Sequence, residues 1–147
     1  MVNTAGCESV DNMLTFRCPS DRRLDAYARR MAGQGYTAPL GLTDREHPRG
    51  WFVDHVETLL GTGSAAFDTA TTALRHWEPL QLGWFRVHRP DSTPLERGVL
   101  VVYSVRILRF WFTWCCRITR VIDETDEAGH RRLGIVWATV GDHGARG

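Results

Sequence analysis

VLVVYSVRIL (99–108) and RFWFTWCCRITRVID (109–123) decide the fold. Together they form the most apolar tract of the chain, and 98–118 is long enough to suggest a membrane span. Arg106 and Arg109 interrupt it, however, and a charge at the bilayer centre costs roughly 2.5–3.5 kcal/mol on the most lenient scale. β-branched and aromatic residues dominate both halves, so the tract reads as two strands with a bend near Arg109. Alternation then puts Phe110, Phe112 and Trp114 on one face of the second strand and Trp111 on the other. The adjacent Cys115 and Cys116 also point to opposite faces, so the pair cannot serve one metal without distortion.

Downstream, DETDEAGH (123–130) is a polar hairpin connection and RLGIVWATV (132–140) a last strand. Upstream, LGWFRVHR (82–89) is strand-like and PDSTPLERG (90–98) is a loop. Before these the pattern is helical. SDRRLDAYARRMAG (20–33) repeats Leu24, Tyr27 and Met31 on one face. Ser20 is placed to cap it through its hydroxyl, and Gly33 to end it in a left-handed conformation. A second helix runs over 64–77, with Phe67, Ala70, Leu74 and Trp77 aligned, Ser64 as its cap and Pro79 as its stop. Residues 1–15 carry few apolar anchors and are expected to fray, and a short strand could stand before each helix region. Residues 34–50, rich in Gly and Pro, form a long irregular connection. Helices followed by a block of strands define an α+β fold in one domain over 16–147: a curved antiparallel sheet with two helices.

The chain has 147 residues, net charge +1 and 18 basic residues, all arginine. A charge so near zero gives no global field for nucleic acid or an acidic membrane. Residues 1–20 lack the pattern of a signal peptide. Cys7, Cys18, Cys115 and Cys116 form no CxxC pair, which predicts reduced, mostly buried thiols in a cytoplasmic protein and no metal site. Arginines 106, 109, 117 and 120 interleave with aromatics, but without a motif for single-stranded nucleic acid.

Residues 51–67, WFVDHVETLLGTGSAAF, hold the polar candidates. GTGS lacks the P-loop pattern and the chain has no lysine, so Gly61, Gly63 and Ser64 are an anion site only through a helix N-terminus. The plainer reading is a glycine turn that admits the chain to the second helix. His55 suits proton transfer near neutrality, with Asp54 and Glu57 close in sequence. His47, His76, His88 and His130 are expected to face solvent.

An ordered series of motifs resembles one family. His55, Leu60, Gly61, Gly63, Phe67, Ala73, Leu74 and Trp77 look like the H-x4-LGxG…AF…AL-x2-W core of the family known as domain of unknown function 1990, found in bacteria and plants. FRCPSD (16–21), YTAPLGLT (36–43), CRITRVIDE (116–124) and LGIVWATVGDHGARG (133–147) are similar to further segments of it. Two departures stand out. Trp137–Ala138 replaces an aromatic–glycine pair, and the family's later strands and C-terminal helix have no counterpart before Gly147.

The resemblance implies an incomplete helix-grip architecture of the START and Bet v 1 type. It implies a pocket for a small hydrophobic molecule between sheet and helices, for which Trp84, Tyr103, Phe112, Trp114 and Trp137 are the candidate lining. By analogy it also suggests a cofactor-independent cyclase or dehydratase acting on a polyketide-like or terpenoid-like substrate. His55 would then be the acid/base, with His143, the second matching histidine, and Asp142 beside it. A third expectation is a half-domain that completes itself as a homo-oligomer through its exposed sheet.

Overall fold

The computed structural model describes residues 13–37, 40 and 54–141. Its elements run β1 (Met13–Thr15), α1 (Asp21–Met31), α2 (Gly63–Arg75), β2 (Phe85–Val87), β3 (Leu100–Ile107), β4 (Phe110–Thr125) and β5 (Arg131–Thr139). The fold is α+β: two helices and a curled antiparallel sheet, helix-grip-like in form.

The long strand β4 organises everything else. β3 lies along one side of it, from Leu100↔Arg117 to Ile107↔Phe110, and β2 extends the sheet beyond β3. The other side is shared: β1 pairs with residues 111–113 and β5 with residues 116–125. The β4–β5 register slips between Ile118 and Arg120, so Thr119 is the extra residue, and its hydroxyl donates to the Val136 carbonyl at 3.0 Å. Such a bulge increases the local twist. The β3–β4 turn falls at Leu108 and Arg109, where Leu108 takes φ 56°; the expected bend is a tight hairpin.

Period-two alternation sorts the side chains onto two faces. One face carries Val102 and Cys115, against which α1 packs Leu24, Tyr27 and Met31, with Val140 alongside. The opposite face carries Val87, Val101 and Ile118 around Trp77, with Phe85, Tyr103, Ile135 and Trp137 packed against them. Both neighbouring cysteines are therefore buried, Cys115 under α1 and Cys116 on the aromatic face. Burial pushes both thiols up, Cys115 to about 12, with further help from Cys116, and Cys116 to about 11.

Several local expectations are corrected. Ser20 stands at the N-cap of α1 but its hydroxyl makes no capping bond, and Gly33 is not left-handed. α2 is capped in position by Thr62, so Ser64 lies within its first turn. The helix ends at Arg75, and Trp77 lies beyond it with φ 59°. This left-handed residue reverses the chain into the 3-10 turn Glu78–Leu80 and drives the indole into the core, fully buried. Its Nε1–H donates to the Thr93 carbonyl at 2.7 Å, so the polar end of the ring is satisfied. The strand expected over 82–89 contracts to three residues, and residues 13–15 do not fray but form an edge strand.

The segment near Tyr36 is tied to the end of β5. Tyr36 bridges to Val140, the Thr37 amide donates to the Thr139 carbonyl at 2.9 Å, and the two threonine hydroxyls share a hydrogen bond. Gly141 closes this corner at φ 67°; a Cβ there would stand 2.5 Å from the Met31 sulfur.

Candidate functional site

Four of the five aromatic residues proposed as a lining, Tyr103, Phe112, Trp114 and Trp137, come together on one face, and Trp84 borders it through Phe85. Tyr103 is the hub. Its ring stacks on Phe85 at 5.0 Å and 9°, and on Trp137 at 6.2 Å and 19°. It also meets Trp114 at 6.3 Å, and Trp114 stacks on Phe112 at 5.5 Å. Trp84 closes on Phe85 edge-on at 6.0 Å, and Trp137 stacks on buried Trp77 at 5.7 Å. The register explains the gathering. Phe85, Val105 and Phe112 lie in one row across β2, β3 and β4, and Val87, Tyr103 and Trp114 in the next. Offset ring pairs of this kind add about 0.5–1.5 kcal/mol each beyond their buried area.

The face is covered unevenly. At the β4–β5 end α2 is pinned over it by Asp68–Arg131 at 2.7 Å and Arg75–Asp123 at 2.9 Å, and the Arg131 guanidinium lies 4.4 Å over the Phe67 ring. Toward the β3–β4 turn the cover thins. Phe85, Tyr103, Phe112, Trp114 and Trp137 are only partly buried, Trp84 is 52% exposed, and Phe16, which meets Phe110 at 4.8 Å, is 75% exposed. The Tyr103 hydroxyl lies 3.8 Å from the Cys116 sulfur, and burial raises its pKa well above the ordinary phenol value. Tyr103 is therefore a neutral donor or acceptor inside an apolar surface.

The polar candidates do not gather in the same way. His55 sits in an exposed stretch, residues 54–60, without regular structure, and makes no hydrogen bond or ion pair among the described residues. His143 and Asp142 lie outside the described residues, as do His47 and Cys7. Gly61 and Gly63, at φ 155° and 81°, form the exposed turn into α2 with Ser64, which is the helix entrance expected of them. Among the described residues no group of three His, Cys, Asp or Glu side chains could hold a metal.

His88 is expected in solvent, yet its side chain is 7% exposed. Its Nε2 bonds Asp25 at 2.9 Å, its Nδ1 lies 3.6 Å from Asp21, and Arg89 grips both oxygens of Asp25 at 3.0 and 2.9 Å. The hydrogen bonds from Arg89 and then His88 hold the Asp25 carboxyl well below the usual carboxylate range. Asp21 and Asp25, one turn apart on α1, thus face the adjacent His88 and Arg89 and clamp α1 to the end of β2. His76 and His130 are exposed as expected, beside Asp91 and Asp126.

A curled α+β sheet with one aromatic, partly open face is the class of molecule defined so far. Comparison with known proteins places it further. The family model described as "Domain of unknown function (DUF1990)" matches residues 36–147. A UPF0548 protein of Dictyostelium discoideum is 30% identical over 146 residues, covering 92% of this chain and 67% of the relative. The chain belongs to the domain of unknown function 1990 family. No solved structure matches it. No helix among the described residues is long and apolar enough to cross a membrane.

Proposed function

We propose that this chain binds a small hydrophobic molecule against the open part of the aromatic face, next to the end that α2 covers. The observation that carries the reading is the continuous run of ring contacts from Trp84 through Phe85, Tyr103 and Trp114 to Phe112, left partly open to solvent. A surface of this kind rewards a flat apolar ligand, which buries itself and the rings together at about 25 cal/mol per Å². The neutral Tyr103 hydroxyl supplies one polar contact to orient it. The probe is N-phenyl-1-naphthylamine, neutral and aromatic. Its fluorescence should rise saturably at one site per chain, with Kd raised at least ~10-fold in Trp114→Ala, a loss of about 1.4 kcal/mol. A folded wild-type protein that gives no saturable signal would remove the reading.

A second reading has its own observation. Leu14, Phe16, Ile107 and Leu108 are exposed at the rim of the same face, Leu108 by 89%. Contiguous apolar surface of this sort also favours association between copies. It predicts a molecular mass that rises with concentration in sedimentation and falls back in Phe16→Ser.

A further inference from the structure

The edge of the sheet between β1 and α1 holds a second feature. After β1 the chain crosses toward β2: the Arg86 guanidinium, on β2, donates to the Cys18 sulfur at 3.7 Å. This crossing leaves a groove of about 530 Å³ lined by Leu14, Arg17, Cys18, Ser20 and Arg23 among others. Arg17 and Arg23 belong to the lining, and the Arg86 guanidinium reaches it from the sheet at Cys18.

None of them has a carboxylate partner among the described residues. Of the two acids on the adjacent helix face, Asp25 is engaged by Arg89 and His88, and Asp21 lies 3.6 Å from His88 Nδ1. Arg106 adds a fourth positive charge one row along the sheet from Arg86, lying 5.8 Å over the Trp111 ring. α1 also begins at the groove, and the Ser20 hydroxyl at its N-cap is not used for capping. Like charges collected without counter-charge are stabilised by a bound anion, and guanidinium forks match the oxygens of phosphate in pairs. The positive end of the helix dipole adds to the same field.

We propose that this groove binds the phosphate group of a small molecule through Arg17, Arg23 and Arg86, with the Ser20 hydroxyl as a further donor. Cys18, exposed in the lining, reports occupancy directly. Its alkylation by neutral iodoacetamide, followed by peptide mass so that the other thiols are counted separately, is measured against inorganic phosphate at constant ionic strength. Glycerol phosphate is titrated in parallel. Phosphate should slow the reaction saturably, by ~5-fold or more at saturation. Arg23→Gln and Arg86→Gln, each compared with its own phosphate-free rate, should raise the half-saturating concentration by about 10-fold, equivalent to about 1.4 kcal/mol. Arg131→Gln, at the far end of the molecule, should leave it unchanged. A tighter half-saturation for glycerol phosphate assigns the site to phosphate esters; equal values assign it to the free anion. No protection of Cys18 by either compound would overturn the proposal. So would protection that persists unchanged in both Arg23→Gln and Arg86→Gln.

Discussion

Trp77 shows how much one residue can settle. It sits at φ 59°, a backbone state that costs a non-glycine residue about 1–2 kcal/mol, and it is held there by a fully buried indole bonded to Thr93. Trp77→Ala should therefore cost about 3–5 kcal/mol in denaturant unfolding and loosen Trp137 with it. Trp77→Phe keeps much of the ring stacking but loses the Nε1 donor, and should cost less. The thiols divide as sharply. Cys115 and Cys116, buried with pKa values raised to about 12 and 11, should resist alkylation at pH 8 in the folded protein, while exposed Cys18 reacts. Peptide mapping after a short pulse of reagent tests this. His55 stands at the other extreme, exposed and without a described partner, so His55→Ala should leave affinity for the naphthylamine probe within ~3-fold.

At the scale of elements, the clamp of α1 to β2 gives a pH dependence with a definite sign. Asp25 has its pKa depressed in the folded state by Arg89 and His88, so its contribution is complete above the unfolded carboxylate value, about 3.9. It is lost as pH falls through the lower folded value. Wild type and Asp25→Asn should differ most in unfolding free energy above pH ~5, and the gap should close as the solution is acidified below pH ~4. Gly141 makes a second test of the packing of α1. Its φ of 67° and the Met31 sulfur in the place of a Cβ mean that Gly141→Ala should destabilise by about 1–3 kcal/mol.

These elements also show what the sequence could and could not reveal. Strands β3, β4 and β5 were legible because branched and aromatic residues dominate them, and the face assignment of Phe112 and Trp114 against Trp111 followed from parity alone. α1 was legible from Leu24, Tyr27 and Met31. β1 was foreseeable only as an unplaced short strand before α1, because three residues recruited by the edge of β4 carry no pattern of their own. Trp77 looked helical because its spacing continues that of Phe67, Ala70 and Leu74, while its turn depends on a tertiary hydrogen bond. His88 was misplaced for a related reason: its partners lie 63 or more residues away, and no local signal announces them. The aromatic cluster was foreseeable as residues, but Tyr103 as its centre required the β2–β3–β4 register.

For the whole molecule, the sheet has two unlike faces. One is closed by α1 and bordered by the arginine groove; the other is closed by α2 and Trp77 at one end and open over its aromatics at the other. The central claim is that the open aromatic region is a ligand surface. The most direct measurement is the indole N–H spectrum of the ¹⁵N-labelled chain at fixed concentration, titrated with N-phenyl-1-naphthylamine. The account predicts that the Trp84, Trp114 and Trp137 indole signals move together with one Kd, while Trp111, on the face beneath α1, does not. Indoles that stay fixed across the titration, or that shift with protein concentration alone, would contradict it.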